Sequence, residues 1–217
     1  MHIHYISEQN SILNHYLAQI RDVSIQKDSM RFRKNIERIG EIMAYELSKT
    51  LEYKNVAIQT PLGIKHTTTV ADNVVLCSIL RAGLALHHGF MSFFDDAENG
   101  FVSAYRHHYK NDDAFEILVE YQAAPSFEGK NLILIDPMLA TGQSLVAVFN
   151  KLILHETPKE IHIAVVIAAP EGIAFLEKNL PENCHLWVAA LDEKLNEKNY
   201  IMPGLGDAGD LAYGDKL

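Results

Sequence analysis

An apolar run, Asn131-Leu-Ile-Leu-Ile135, leads into Asp136-Pro-Met-Leu-Ala-Thr-Gly-Gln-Ser144, a turn of small and hydroxyl residues that opens a helical pattern at about Ser144. Such a turn has the parts of a phosphate site. Unpaired N–H groups and a positive dipole end gather at a helix N-terminus, and glycine lets the backbone approach a ligand closely. Thr141 and Ser144 add hydroxyl donors, and Asp136 at the strand end can accept hydrogen bonds from ribose hydroxyls. An ordinary capped strand-to-helix turn with no ligand fits the segment equally well, because it matches neither the Walker pattern nor GxGxxG.

Two further segments carry chemistry. Ser78-Ile-Leu-Arg-Ala-Gly83 ends a buried-looking strand in Arg81 just before a glycine. A cation there needs a partner, either a carboxylate or an anionic ligand such as pyrophosphate, whose oxygens suit the guanidinium fork. The segment from Asn199 to Asp210 holds three glycines and a proline, so it reads as a bent, ordered backbone rather than helix or strand. Tyr200, Ile201 and Leu205 argue against a disordered end, and a rigid loop of this kind can present N–H and C=O groups to a flat base.

These segments need a scaffold. Helical spacing runs from Ser11 to Arg21, and again through Ile36, Ile39, Met43 and Leu47 from an N-cap near Asp28 or Ser29. A hairpin is predicted around Pro61-Leu62-Gly63. Near-continuous apolar runs at Asn73–Leu80, Phe101–Tyr105, Asn131–Ile135, Ile161–Ala168 and His185–Ala190 alternate with helical stretches near Ala82–Phe94, Ser144–His155 and Glu171–Asn179. Ala114–Gln122 is expected to form half of an arm or hairpin. The pattern predicts an α/β fold with a mainly parallel sheet covered by helices on both faces. One domain spanning residues 1–217 is expected, with an N-terminal helical segment, a β-hairpin arm and a distinct C-terminal tail.

Composition narrows the function. A formal net charge of −9 argues against nucleic acid or an anionic membrane as partner, so an anionic ligand needs a local cationic site. The basic cluster Arg31, Arg33, Lys34 and Arg38 reads as a solvated helix face. Cys77 and Cys184 form no CxxC pair and read as buried thiols, with no metal site. The first ten residues lack a signal-peptide pattern, which points to the cytoplasm.

Taken together, SILRAG, DPMLATGQS and the tail, in that order along the chain, resemble the uracil phosphoribosyltransferase family. The words Ala168–Gly172 and Leu191–Asn196 extend the likeness, which is strongest from Asn73 onwards. The resemblance implies transfer of ribose 5-phosphate from phosphoribosyl pyrophosphate (PRPP) to N1 of uracil, giving uridine monophosphate (UMP) and diphosphate. It implies PRPP binding by Arg81, Arg106, Asp136, Pro137, Met138, Leu139, Ala140, Thr141, Gly142, Gln143, Ser144 and Asp207. Uracil would meet the main chain of Ile201, Gly206 and Ala208, with Asp207 beside it. Catalytic roles fall to Arg81, Arg106, Asp136 and Asp207, with Mg2+ carried mainly by PRPP and a homodimer or larger assembly.

The chain departs from the family pattern at two places. Gln143 stands where a second glycine is usual; it is harmless if the backbone there is helical and disruptive if it needs a positive φ. The segment His107–Asp113 differs from the commoner acidic, Thr-containing loop. The rival readings are a phosphoribosyltransferase for another base and a non-catalytic pyrimidine sensor on the same fold. The tail weighs against purines, and the joint presence of Arg81, Arg106, Asp136, Thr141 and Asp207 weighs against a sensor.

Overall fold

The structure, a computed structural model, describes residues 1–108, 115–154 and 156–216, and the side chains of all of these except 105–108 and 115–117. The chain begins with strand β1 (His2–Tyr5) and helices α1 (Ile12–Arg21) and α2 (Ser29–Ser48). Ser11 caps α1, its side chain accepting from the Leu13 N–H, and Asp28 caps α2 by accepting from the Arg31 N–H. A hairpin follows, β2 (Tyr53–Thr60) and β3 (Gly63–Val70), then β4 (Val74–Leu80), α3 (Leu84–Met91), β5 (Glu98–His108) and β6 (Phe115–Ala123). The second half runs through β7 (Asn131–Ile135), β8 (Met138–Leu139), α4 (Gln143–Leu152), β9 (Glu160–Ala168), α5 (Pro170–Asn179) and β10 (Cys184–Leu191). It closes with β11 (Lys194–Leu195), β12 (Ile201–Met202) and α6 (Ala208–Tyr213).

The main sheet has the order β1-β10-β9-β7-β4-β5-β6, with β8 extending the pairing along β9. Every pairing in it is parallel except β5 with β6. Strands buried on both faces must be mostly apolar, and β4, β7 and β9 are, with Ser78, Asn131, Glu160 and His162 as their polar residues. One core joins Leu76, Ile133, Val166 and Trp187 to helices α1, α2, α3 and α6; the other joins Val75, Leu134 and Val165 to α4 and α5. The α/β architecture covered on both faces is the one the strand–helix alternation predicts.

The β2–β3 arm pairs residue for residue from Tyr53↔Val70 to Thr60↔Gly63 and forms its own two-stranded sheet. It carries exposed Ile58, Leu62 and Ile64. The half-arm expected at Ala114–Gln122 is β6, paired antiparallel with β5. The reading of His107–Asp113 falls, from residue 109 onwards, outside the described residues.

Two expectations need correction, and one element goes beyond them. The N-terminal ten residues contain an edge strand, β1, whose His2 and His4 lie beside His185 and Trp187 of β10. The tail is not free of regular structure, since β12 pairs with β11 and α6 turns on the Asp207 cap. The basic cluster on α2 is split: Arg31 and Lys34 are exposed, whereas Arg33 donates to the Ala212 carbonyl at 2.6 Å. Arg33 holds the tail helix, a role that helical spacing alone does not reveal.

Candidate active site

Strand β7 delivers Asp136 to the carboxyl end of the sheet, where ligands of open α/β sheets sit. Pro137 has no N–H to give the ladder. Its carbonyl accepts from both Val166 and Ile167, at 3.0 Å each, and the chain then re-enters the sheet as β8. The segment read as one turn therefore holds a short strand. Met138 and Leu139 are fixed by pairing with Ile167 and Ala168, leaving Ala140, Thr141 and Gly142 as the turn itself.

Gly142 takes the left-handed conformation, φ 78°, and caps α4 without any side-chain bond. Gln143 is the first residue of the helix. The departure from the family pattern thus falls where a side chain is tolerated. Gly142 offers no side chain to cap α4; the Gln143 N–H reaches Thr141 Oγ1 only at a long 3.5 Å, and Thr141 and Ser144 stand partly exposed beside the helix start. That is a cradle with unspent donors.

Asp136 keeps one partly exposed edge but is otherwise surrounded by protein. Burial pushes its carboxyl up to about 7, opposed only by the N–H of Met138, which donates to it at 3.2 Å. A carboxyl held this way is primed for a ligand that favours its charged form.

The Arg81 turn is pressed against the same place. A Cβ on Gly83 would lie 2.9 Å from the carbonyl of Ile135 and 2.3 Å from Ser78 Oγ, so only glycine permits this approach beside Asp136. Among the described residues, the Arg81 guanidinium donates from Nη2 to Asp210 Oδ1 at 2.8 Å and to the Gly214 carbonyl at 3.0 Å. The Arg81 Nε is buried with no hydrogen-bond partner among the described residues. The carboxylate partner the sequence asked for is therefore in the tail, and one edge of the guanidinium remains to meet an anion.

The tail arrives over this turn. Gly209 packs beside Ala82 and Asp207. Asp207 caps α6, its Oδ1 accepting from the Asp210 N–H at 3.0 Å. Gly206 has φ 95° and is exposed together with Asp207, while Ile201 and Ala208 are buried. A cleft of about 350 Å³ opens along the outer side of this tail, lined by Gln26, Lys27, Leu205, Gly206, Asp207 and Asp210 among others; the turn after β7 does not reach it.

The structure thus brings together Asp136, the turn from Ala140 to Ser144, Arg81 and the tail with Asp207. Arg106 lies near the end of β5, opposite Ile117 of β6, and its side chain is outside the described set. Among the described residues no three or more His, Cys, Asp or Glu are grouped to hold a metal ion. Single carboxylates such as Asp136 and Asp207 suit an ion held chiefly by diphosphate oxygens and water.

A parallel α/β sheet with a phosphate-type turn at the end of its central strand, covered by an ordered tail, is the fold of phosphoribosyltransferases. A hypoxanthine phosphoribosyltransferase from Staphylococcus aureus shares it, with TM-score 0.51 and 16% identity over 86% of this chain and 84% of that one. A solved protein from Aquifex aeolicus is nearer, with TM-score 0.86 and 30% identity over 98% of both chains. The uracil phosphoribosyltransferase of Porphyromonas gingivalis is 48% identical over the whole length of both chains. The family profile "Uracil phosphoribosyltransferase" matches residues 6–215, and the chain belongs to that family.

Proposed function

We propose that the chain, acting as one domain over residues 1–217, joins uracil N1 to C1 of the ribose of PRPP and releases diphosphate. The observation that carries the reading is the meeting of three separate segments, the turn after β7, the Arg81 turn and the tail, at one end of the sheet. In this reading the free N–H groups at the start of α4, with Thr141 and Ser144, hold the 5-phosphate. Pro137, Met138 and Leu139 are fixed by β9 and set the height of that cradle.

Asp136 orients the ribose hydroxyls and, once ionised, faces the positive charge that grows on the sugar as the C1–O bond to diphosphate breaks. Arg81 and Arg106 offset charge on the departing diphosphate. Mg2+, carried mainly by PRPP, would supply further charge neutralisation on that leaving group. The protein does little covalent work; positioning supplies most of the rate.

Uracil lies against the main chain of Ile201, Gly206 and Ala208, with Asp207 alongside. A backbone N–H aimed at uracil O4 would face the amino group of cytosine, setting donor against donor. The test is steady-state transfer with a panel of bases. Uracil should exceed cytosine, orotate and hypoxanthine in kcat/KM by about a hundredfold or more, given what an unpaired buried polar group costs. Equal use of cytosine would contradict the assignment of the tail.

Two features support the wider setting. The exposed apolar residues of the β2–β3 arm suit a second copy of the chain, and sedimentation as a monomer would contradict that homo-oligomer. The described residues include no helix long and apolar enough to cross a membrane, and both cysteines are free and buried, which supports a cytoplasmic enzyme.

A further inference from the structure

The tail is tied down by residues to which the sequence assigned no role. Asp192, just past the end of β10, has a side chain only 4% exposed. Its Oδ1 accepts from Arg21 Nη2 at 2.5 Å, and its Oδ2 accepts from Arg21 Nη1 and from the Gly204 N–H at 2.9 Å each. Arg21 Nη1 also donates to the Gly204 carbonyl at 3.0 Å. Both polar groups of one tail residue are thus held by a single ion pair.

A second strap lies beside the first. Gln26 Nε2 donates to the carbonyl of Leu205 at 3.0 Å and to that of Ile20 at 2.8 Å. The Asp192 backbone is itself anchored, its N–H donating to Ala168 at the end of β9 at 2.8 Å. The chain of support runs from the sheet, through Asp192, Arg21 and Gln26, to Gly204 and Leu205. These two residues stand between Ile201 and Gly206.

A forked guanidinium on a buried carboxylate is a costly arrangement to keep. Its geometric value here is that it fixes main-chain positions in a loop with little regular structure of its own. We infer that Arg21, Asp192 and Gln26 are positioning residues for uracil: they hold the tail loop so that its main-chain groups are preset for the base. This rests on the reading that uracil lies on the tail. None of the three touches Asp136 or the α4 cradle in the described contacts, so their influence should fall on the base and spare the phosphates.

The experiment measures KM for uracil and for PRPP separately in Asp192→Asn and Gln26→Ala, alongside melting temperature. Asp192→Asn should raise KM for uracil about tenfold, since small misplacements of binding groups carry large kinetic penalties, and leave KM for PRPP within about twofold. Gln26→Ala, which strands no buried charge, should shift the same ratio in the same direction by about threefold. It decides the matter if Asp192→Asn does not fold. Equal movement of both KM values, or of neither, would overturn the inference. Whether uracil sits on the tail at all is decided separately by a structure of the wild-type chain with bound UMP. A base found elsewhere removes the tail reading, whereas a base found on the tail with unchanged KM ratios removes only the clamp.

Discussion

Replacing Asp136 with Asn should nearly abolish transfer while making the free protein more stable at alkaline pH. The two effects have one cause. Burial holds the Asp136 carboxyl near 7, above its ordinary value of 3.8. Between those values the folded chain binds a proton that the unfolded chain has released, so wild-type stability falls as pH rises from about 4 to about 7 and stays low above that. Three pH units correspond to at most about 4 kcal/mol, so Asp136→Asn should raise Tm by several degrees at pH 8 and by almost nothing at pH 4.

The catalytic loss follows from the same carboxylate. Facing a positive sugar, it is worth far more in the transition state than in the free enzyme, and its removal should lower kcat/KM for PRPP by about a hundredfold or more. Wild-type kcat/KM should climb through pH 7 as Asp136 ionises, and the variant should lose that climb. Thermal melts at pH 4 and pH 8, combined with a pH–rate profile, check both. A variant less stable than wild type at pH 8 would contradict the stated environment of Asp136.

Arg81→Ala is the second large effect, with the opposite balance between stability and rate. The Arg81–Asp210 pair is about one-third exposed on both sides, so its loss should cost no more than about 1 kcal/mol of stability. Its kinetic cost should be about a hundredfold or greater in kcat/KM for PRPP, the scale seen when one donor to a developing anion is removed. Arg81→Lys should recover little, because an ammonium cannot keep Asp210 on one edge and meet diphosphate with the other. Unchanged kinetics in Arg81→Ala would remove Arg81 from the diphosphate site.

What the residues revealed in advance divides along physical lines. The strands β4, β7 and β9 are buried on both faces and mostly apolar, a demand that leaves a near-continuous mark on sequence. Helices α1 and α2 announce themselves through their helical spacing, and α2 also through its cap at Asp28. Strand β1 leaves no such mark, since His2 and His4 gain their strand character from β10, nearly the whole chain away. β8 and β12 are two residues each and exist only because β9 and β11 offer partners.

The same holds for the site. Asp136, Gly142 and Arg81 were legible because a charge or a glycine at a strand end needs a reason. The partner of Arg81 was not, as any of 28 acidic residues could have served and the fold chose Asp210. The bond between Arg21 and Asp192 was invisible for the same reason. An ion pair across most of the chain has no periodicity to betray it.

The central claim is that one site spans the turn after β7 and the tail, and the structure of the chain with bound UMP tests it most directly. The 5-phosphate should lie on the N–H groups from Thr141 to Ser144, the ribose beside Asp136, and the uracil ring against Ile201, Gly206 and Ala208. UMP bound with its base away from the tail, or with its phosphate away from the start of α4, would contradict the account.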